Sequence, residues 1–252
     1  MFSRGDAVLE YLISVRARRG AGYLTLLDPD RLSVAELEHR ADLSVEAGAD
    51  AILVGTSLMF TTHYAECFAR IKARANIPVI SFPGGANQVV PTADAIFFLS
   101  MISGRNPELL IGEQVRAAPL IKEFGVEAIP TGYVLVESGN MTSVEFMSAT
   151  RPLPRRKNDI AMAHALAAEY LGMKMVYLET GSGADSSVPD DMVRMVAHYI
   201  SIPVIVGGGI RNAETARAKV EAGASFVVTG SIMEDDHARL NEVSAAVHVA
   251  ED

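Results

Sequence analysis

Four short segments of this 252-residue chain carry groups suited to holding a phosphorylated molecule and moving a proton beside it. Two are glycine clusters, Val206-Gly-Gly-Gly-Ile-Arg211 and Thr229-Gly-Ser231. Glycines let backbone N–H groups approach a phosphate closely, and a helix opening behind them adds partial positive charge. The third is Tyr177-Leu-Glu-Thr-Gly-Ser-Gly183. On a strand, Tyr177 and Glu179 share one face. A phenol thus stands beside a carboxylate able to accept a proton or hold a ligand hydroxyl. The fourth is Asp28-Pro-Asp30, a carboxylate of the kind that suits Mg²⁺, which takes one or two carboxylates and leaves its other positions to water or phosphate oxygens. Gly55-Thr-Ser57 offers a hydroxyl nearby in the pattern. Each segment also has a plain structural counterpart: a tight turn at Gly207–Gly209, a helix cap at Ser231, a carboxylate satisfied by neighbouring N–H groups at Glu179, an ordinary turn at Asp28.

Other chemistries lack their parts. Lys174 precedes its strand and the remaining lysines fall in helical stretches or a basic loop, so a Schiff-base nucleophile is missing. The six histidines are scattered and form neither a zinc motif nor a triad, and Cys67 has Tyr64, Phe68 and Ile71 around it at helical spacing, as a core residue would.

The elements that must position these groups alternate. Strands are predicted at Tyr23–Leu27, Ala51–Val54, Pro78–Phe82, Ala95–Leu99, Glu127–Glu137, Met175–Glu179, Pro203–Val206 and Ser225–Thr229. Most are almost wholly apolar, as in parallel sheets covered on both faces. Helical patterns lie between them: one opens on the capping box Ser33-Val-Ala-Glu36, and others span Thr62–Arg74, Glu108–Glu123, Asn158–Leu171, Pro189–Tyr199, Ala213–Ala222 and Met233–Val247. Eight strands with intervening helices fit a (β/α)8 barrel of α/β class better than a doubly wound sheet. In such a barrel, phosphate is often held by the loops after strands 7 and 8, where the two glycine clusters fall. The segment from Pro83 to Asp94 is too short and too rich in Pro and Gly for a crossover helix, so the helix after the third strand is expected to be replaced by a loop. The stretch Ser138–Lys157 holds the basic run Arg151-Pro-Leu-Pro-Arg-Arg-Lys157, readable as a surface loop or as a lid over anions.

Composition narrows the function classes. Apolar residues make up 49%, enough for a large core, and one domain over 1–252 is expected. The net charge of −9 argues against a nucleic-acid partner, and a small anion must be held by local devices. No apolar run reaches transmembrane length and the first residues lack a signal-peptide pattern, so the cytoplasm is the expected location.

These segments, with Ala49-Asp-Ala-Ile-Leu-Val-Gly-Thr-Ser57, Phe82-Pro-Gly-Gly85, Gly132-Tyr-Val-Leu-Val-Glu137 and Arg151-Pro-Leu-Pro154, run in order along nearly the whole chain. Together they resemble the geranylgeranylglyceryl phosphate synthase family, including its bacterial heptaprenylglyceryl phosphate synthase members. Tyr177-Leu-Glu-Thr-Gly-Ser-Gly183 is the most specific element of the likeness. The resemblance implies a modified TIM barrel and transfer of a long prenyl group, geranylgeranyl above all, from its diphosphate to the 3-hydroxyl of sn-glycerol 1-phosphate. It implies Mg²⁺ held through Asp28 and Ser57, with Thr56 the alternative because the family often shows Gly-Gly-Ser where this chain has Gly55-Thr-Ser57. It implies glycerol phosphate on Tyr177, Leu178, Glu179, Thr180, Gly181, Ser182, Gly183, Gly208, Gly209, Gly230 and Ser231, with Glu179 and Tyr177 closest to the chemistry. The tail would lie in an apolar groove walled by Leu58, Met59, Phe60, Phe97, Phe98 and Met101, stopped near Leu109. Contact with a membrane surface for product release and a homo-oligomer are also implied. A phosphosugar isomerase and a non-catalytic phospho-ligand barrel share the glycine clusters and stay open on the residues alone.

Overall fold

The computed structural model describes residues 6–230 and 237–249. Eight parallel strands close into a barrel in chain order: β1 Gly22–Leu27, β2 Ala51–Val54, β3 Val79–Ser81, β4 Ala95–Ser100, β5 Glu127–Leu135, β6 Met175–Glu179, β7 Val204–Gly207 and β8 Phe226–Thr229. The (β/α)8 expectation holds, and the predicted strands lie within one or two residues of the observed ones. β5 stops at Leu135 because Val136 turns to bridge Leu153 in the loop that follows.

Side chains alternate between two packed regions. Leu24, Leu53, Phe97, Tyr133, Tyr177 and Phe226 fill the barrel interior. Leu27, Ile52, Val134, Leu178 and Val206 face outward under the helices. Both faces of each strand are therefore buried, which is why the strands read as continuous apolar runs.

The outer helices are α1 Ala7–Arg19, α2 Val34–Glu46, α3 Tyr64–Arg74, α4 Glu113–Phe124, α5 Ser143–Ser148, α6 Asn158–Tyr170, α7 Asp190–Tyr199, α8 Ala213–Glu221 and α9 His237–Val247. The capping box at α2 forms as predicted, with the Glu36 carboxylate accepting from the Ser33 N–H at 2.8 Å. Gly125, Gly172 and Gly223 end their helices at positive φ. Between β3 and β4 there is one 3₁₀ turn, Ala86–Gln88, in place of the usual helix. The helix before β5 is entered through a π-helical turn, Glu108–Gly112. The expected start of the last helix, 233–236, lies outside the described residues. No helix among the described residues is long and apolar enough to cross a membrane.

Two elements are absent from the pattern reading. One is α5, a short helix inside the basic stretch. The other is α1, which closes the N-terminal end of the barrel with Val8 and Leu12 packed on Leu24 and Phe226. The Glu127 carboxylate accepts from the N–H groups of Val8 and Leu9 at 2.7 and 2.8 Å, where the helix dipole favours a negative charge.

At the same end Asp50, 3% exposed, accepts from the Tyr23 N–H at 2.8 Å and pairs with Arg19 at 3.0 Å and His248 at 2.9 Å. One carboxylate thus fastens the end of α1, the first strand and the segment after α9. Asp50→Ala leaves these donors without their acceptor and is expected to cost about 3 kcal/mol in urea unfolding. Asp50→Asn, which keeps an acceptor oxygen, should cost less. Equal losses for both variants would show that shape rather than hydrogen bonding holds this junction.

Candidate active site

The C-terminal ends of the strands surround two cavities, of about 50 and 290 Å³. Leu26, Ser182 and Gly230 line both, so the two lie side by side.

Tyr177, Glu179, Ser182, Gly183, Gly208, Gly209 and Gly230 line the small cavity. Thr180 and Gly181 do not line it, and Leu178 points outward into the helix-facing core, so it offers the cavity no side chain. Ser231 lies outside the described residues. Glu179 is buried, and its Oε1 accepts from the Gly181 N–H at 2.6 Å. Burial pushes its carboxyl up to about 7, against the opposing pull of the Gly181 N–H and the neighbouring Tyr177 hydroxyl. The Tyr177 hydroxyl and the Thr180 hydroxyl are buried without a hydrogen-bond partner of ordinary geometry. Orphaned buried hydroxyls are costly, and a bound polar ligand would satisfy such groups.

Glycine is required where β7 meets this carboxylate. β6 and β7 pair Glu179 with Gly207. A Cβ on Gly207 would collide with Glu179 Oε2 and the Tyr177 hydroxyl, and one on Gly208, at φ +79°, with Glu179 Oε1 and Thr180 Oγ1. Gly208 therefore makes room for the carboxylate while lining the cavity.

Residues that sequence reading passes over surround this site, Phe82 and Tyr133 from the side of the large cavity and Arg211 in the small one. The Tyr177 ring packs on both Phe82, with centroids 5.1 Å apart, and Tyr133, at 5.6 Å, and those two rings are 6.3 Å from each other. These rings seal the barrel beneath Glu179 and keep water from it. Arg211 also lines the cavity and is held by the Ala184 carbonyl at 2.8 Å. The aromatics carry no signal distinct from core strands, whereas Arg211 closes the Gly-Gly-Gly-Ile-Arg segment and is legible there.

The large cavity begins at Asp28, Arg31, Thr56 and Ser57 and continues between Phe82, Phe97, Phe98, Met101 and Leu109 to Ala117. Asp28 Oδ1 accepts from the Asp30 N–H at 3.0 Å. Its Oδ2 pairs with Arg31 at 3.3 Å and lies 3.5 Å from the Thr56 hydroxyl. Desolvation raises the Asp28 carboxyl above its usual range, with the Asp30 N–H and Arg31 opposing it. Of the two candidate hydroxyls, that of Thr56 contacts Asp28, and Ser57 is exposed at the cavity mouth. No cluster of three His, Cys, Asp or Glu suited to a metal occurs among the described residues. One carboxylate with an adjacent hydroxyl, opening onto a cavity, is a donor set that fits Mg²⁺ completed by phosphate oxygens and water.

Three of the expected groove walls, Phe97, Phe98 and Met101, line the cavity. Leu58, Met59 and Phe60 do not: Leu58 and Phe60 are exposed and Met59 packs on the helix-facing core. The reason is the loop's anchorage, since Asp30 accepts from the N–H groups of Phe60 and Thr61 at 2.9 and 2.6 Å and holds the segment outward.

Comparison with known proteins agrees with this geometry. The model of the PcrB family matches residues 14–247. A geranylgeranylglyceryl phosphate synthase of Chitinophaga pinensis is 44% identical over 245 residues, covering 97% of each chain. That of Thermococcus kodakarensis is 43% identical over 227 residues, covering 90% of this chain and 89% of the relative. The crystal structure of (S)-3-O-geranylgeranylglyceryl phosphate synthase from Thermoplasma acidophilum, solved in complex with its substrate sn-glycerol-1-phosphate, superposes with a TM-score of 0.90. It is 35% identical and covers 96% of this chain and 98% of its own. This chain belongs to the PcrB family, that of the geranylgeranylglyceryl phosphate synthases.

Proposed function

We propose that this protein joins a long-chain prenyl diphosphate, geranylgeranyl or longer, to the 3-hydroxyl of sn-glycerol 1-phosphate, forming an ether bond. The observation that carries the reading is the adjacency of the two cavities. A small cavity holding a buried carboxylate opens beside a larger, mainly apolar one that Asp28 also lines, as a phosphorylated alcohol and a prenyl diphosphate would require. The mostly apolar walls of the larger cavity do not suit a phosphosugar isomerase, which handles polar substrates on both sides of the reacting carbon.

In this reading the acceptor phosphate lies against the backbone of Ser182, Gly183, Gly208, Gly209 and Gly230, with Arg211 beside it. Tyr177 and Glu179 meet the glycerol hydroxyls. The acceptor oxygen attacks C1 of the prenyl group, the bond from C1 to the diphosphate oxygen breaks with its electron pair leaving on the diphosphate, and the hydroxyl proton passes to a Glu179 carboxylate oxygen. Allylic delocalisation spreads the positive charge at C1. Arg31 holds the departing diphosphate, and Asp28 would do so by binding its cation. Mg²⁺ bound at Asp28 and Thr56 would neutralise diphosphate charge. Fixing both reactants on rigid strand ends contributes the orientation.

Mass spectrometry of reactions with sn-glycerol 1-phosphate, Mg²⁺ and a ladder of prenyl diphosphates tests the whole reading. An ether product is expected, and none with any donor overturns it. Asp28→Asn should lower turnover on the order of 10²-fold, with the fold retained, as one preorganised charge contact is lost. Unaltered turnover and metal dependence would remove Asp28 from the site.

Glu179 yields a prediction in pH. Its carboxyl titrates at about 7 in the fold, against an ordinary 4.5. As a base it must be ionised, so kcat/KM should rise with pH through an apparent pKa near 7. Glu179→Gln should remove that limb and cut the rate on the order of 10²-fold or more. A raised pKa also means stability present below about 4.5 and lost as pH climbs through about 7. The Gln variant should therefore gain stability relative to wild type across that window, read by urea unfolding. A pH-independent difference would mean that Glu179 ionises normally.

Leu109 lines the large cavity. Each additional isoprene unit buries five carbons, at roughly 0.8 kcal/mol per CH₂, if there is space for it. Leu109→Trp is expected to penalise donors longer than geranylgeranyl selectively by overfilling the cavity. A uniform loss across donor lengths would place the tail's end elsewhere.

A further inference from the structure

The loop between β6 and α7, residues 180–189, brings Ser182, Gly183 and Ala184 into the lining of the small cavity. It contains no helix or strand, and Gly181 and Gly183 stand at φ +95° and +76°. Backbone N–H groups hold an anion well only when fixed in one orientation, and a loop with such glycines gives up much conformational freedom to fix them. The first part of the loop is fastened from inside the site. The Gly181 N–H donates to Glu179, and the Ala184 N–H donates to the Gly181 carbonyl at 3.2 Å. Between them, the N–H groups of Ser182 and Gly183 donate to no protein atom among the described residues, and both residues are exposed.

The second part is fastened by three cations, each on a carbonyl. Arg211 donates to the Ala184 carbonyl at 2.8 Å, Arg155 to that of Ser187 at 2.8 Å and Lys219 to that of Val188 at 2.6 Å. They come from the segment after β7, the basic stretch after β5 and α8. Arg211 lines the small cavity, whereas Arg155 and Lys219 line neither cavity. Arg155 also donates to the Glu137 carbonyl at 3.0 Å, tying the loop to the chain just past β5. Lys219 is 3% exposed and pairs with Asp190, the first residue of α7. A buried ammonium group is costly unless partners satisfy it, and here a loop carbonyl is one of them. A carbonyl oxygen facing a phosphate would repel it, and each of these three is taken up by a cation instead.

We propose that Lys219 and Arg155 are positioning residues for phosphate binding: by clamping the Val188 and Ser187 carbonyls, they hold the Ser182 and Gly183 N–H groups ready for an acceptor phosphate that neither side chain touches. The choice of a phosphate as the bound group rests on the prenyl-transfer reading, which places the acceptor in the small cavity. Arg155 thereby acts from behind the loop, as neither a lid over anions nor a plain surface charge.

Calorimetric titration of the full chain with sn-glycerol 1-phosphate and with inorganic phosphate tests this, beside steady-state kinetics with geranylgeranyl diphosphate and Mg²⁺. Arg155→Ala and Lys219→Met should each weaken binding of both phosphate probes on the order of tenfold, as when a supporting group behind a site is removed. KM for sn-glycerol 1-phosphate should rise in parallel, with kcat and the KM for the donor near wild type. Arg155 is half-buried on a loop, so its variant keeps the test decisive should Lys219→Met fail to fold. Wild-type phosphate affinity in Arg155→Ala, or donor and acceptor affinities that fall together, overturns the proposal. So does weaker binding of sn-glycerol 1-phosphate with inorganic phosphate unaffected, which would place the effect on the glycerol hydroxyls. Phosphate binding that both variants weaken, with no ether product from any donor, would sustain the clamp and defeat the chemical reading instead.

Discussion

A carboxyl group held almost dry at the end of a strand constrains the whole catalytic face. Glu179 cannot be solvated, so its surroundings must replace water with a few fixed partners and exclude every other atom. The Gly181 N–H is such a partner, and the absence of side chains at Gly207 and Gly208 is the exclusion. Both depend on the β6–β7 register that places Gly207 opposite Glu179. A slip of one residue would reverse the faces of the strand and bring Leu178 to the carboxylate's place. Beneath the carboxylate, Phe82, Tyr177 and Tyr133 stack across three strands. Their bulk keeps the group desolvated, and desolvation is the leading cause of its raised pKa.

Two of these rings, Phe82 and Tyr133, also line the larger cavity, which opens where the barrel lacks an outer helix. The chain between β3 and β4 makes only the turn Ala86–Gln88. Gln88 is buried and grips the Thr56 backbone from both sides, accepting from its N–H at 3.2 Å and donating to its carbonyl at 2.8 Å. Thr56 is thereby fixed within reach of Asp28. Gly55 permits this, because a Cβ there would collide with the Phe82 carbonyl. Loss of one helix and placement of the acidic end of the cavity thus follow from one short segment, whose prolines and glycines disfavour a helix.

Much of this was legible in the sequence for identifiable reasons. Strands buried on both faces are continuous apolar runs, and glycines after helices mark their ends. The two-residue spacing of Tyr177 and Glu179 reports a shared face whatever the surroundings. What escaped depends on contacts distant in sequence. Tyr133 and Phe82 look like any core aromatic until β3, β5 and β6 are brought together. α1 carries a weak periodic pattern, and its place is set by Glu127, more than a hundred residues away. Leu58 and Phe60 resemble cavity walls in composition, yet the anchorage of their loop to Asp30 turns them outward.

Charge balance gives the raised pKa of Glu179 a second meaning. Both proposed reactants are anions and the chain itself is strongly acidic. Among described residues the cations at the two cavities are Arg31, Arg40 and Arg211, with backbone N–H groups supplying the rest. An always-ionised carboxylate here would repel an arriving phosphate with little water to screen it. A group poised near neutrality can stay protonated in a fraction of molecules while an anion enters. In the proposed reaction it can also ionise at little cost before taking a proton from the acceptor. In that reading one residue meets two opposed demands, and it does so through burial, the property that Gly207, Gly208 and the cluster of aromatic rings enforce.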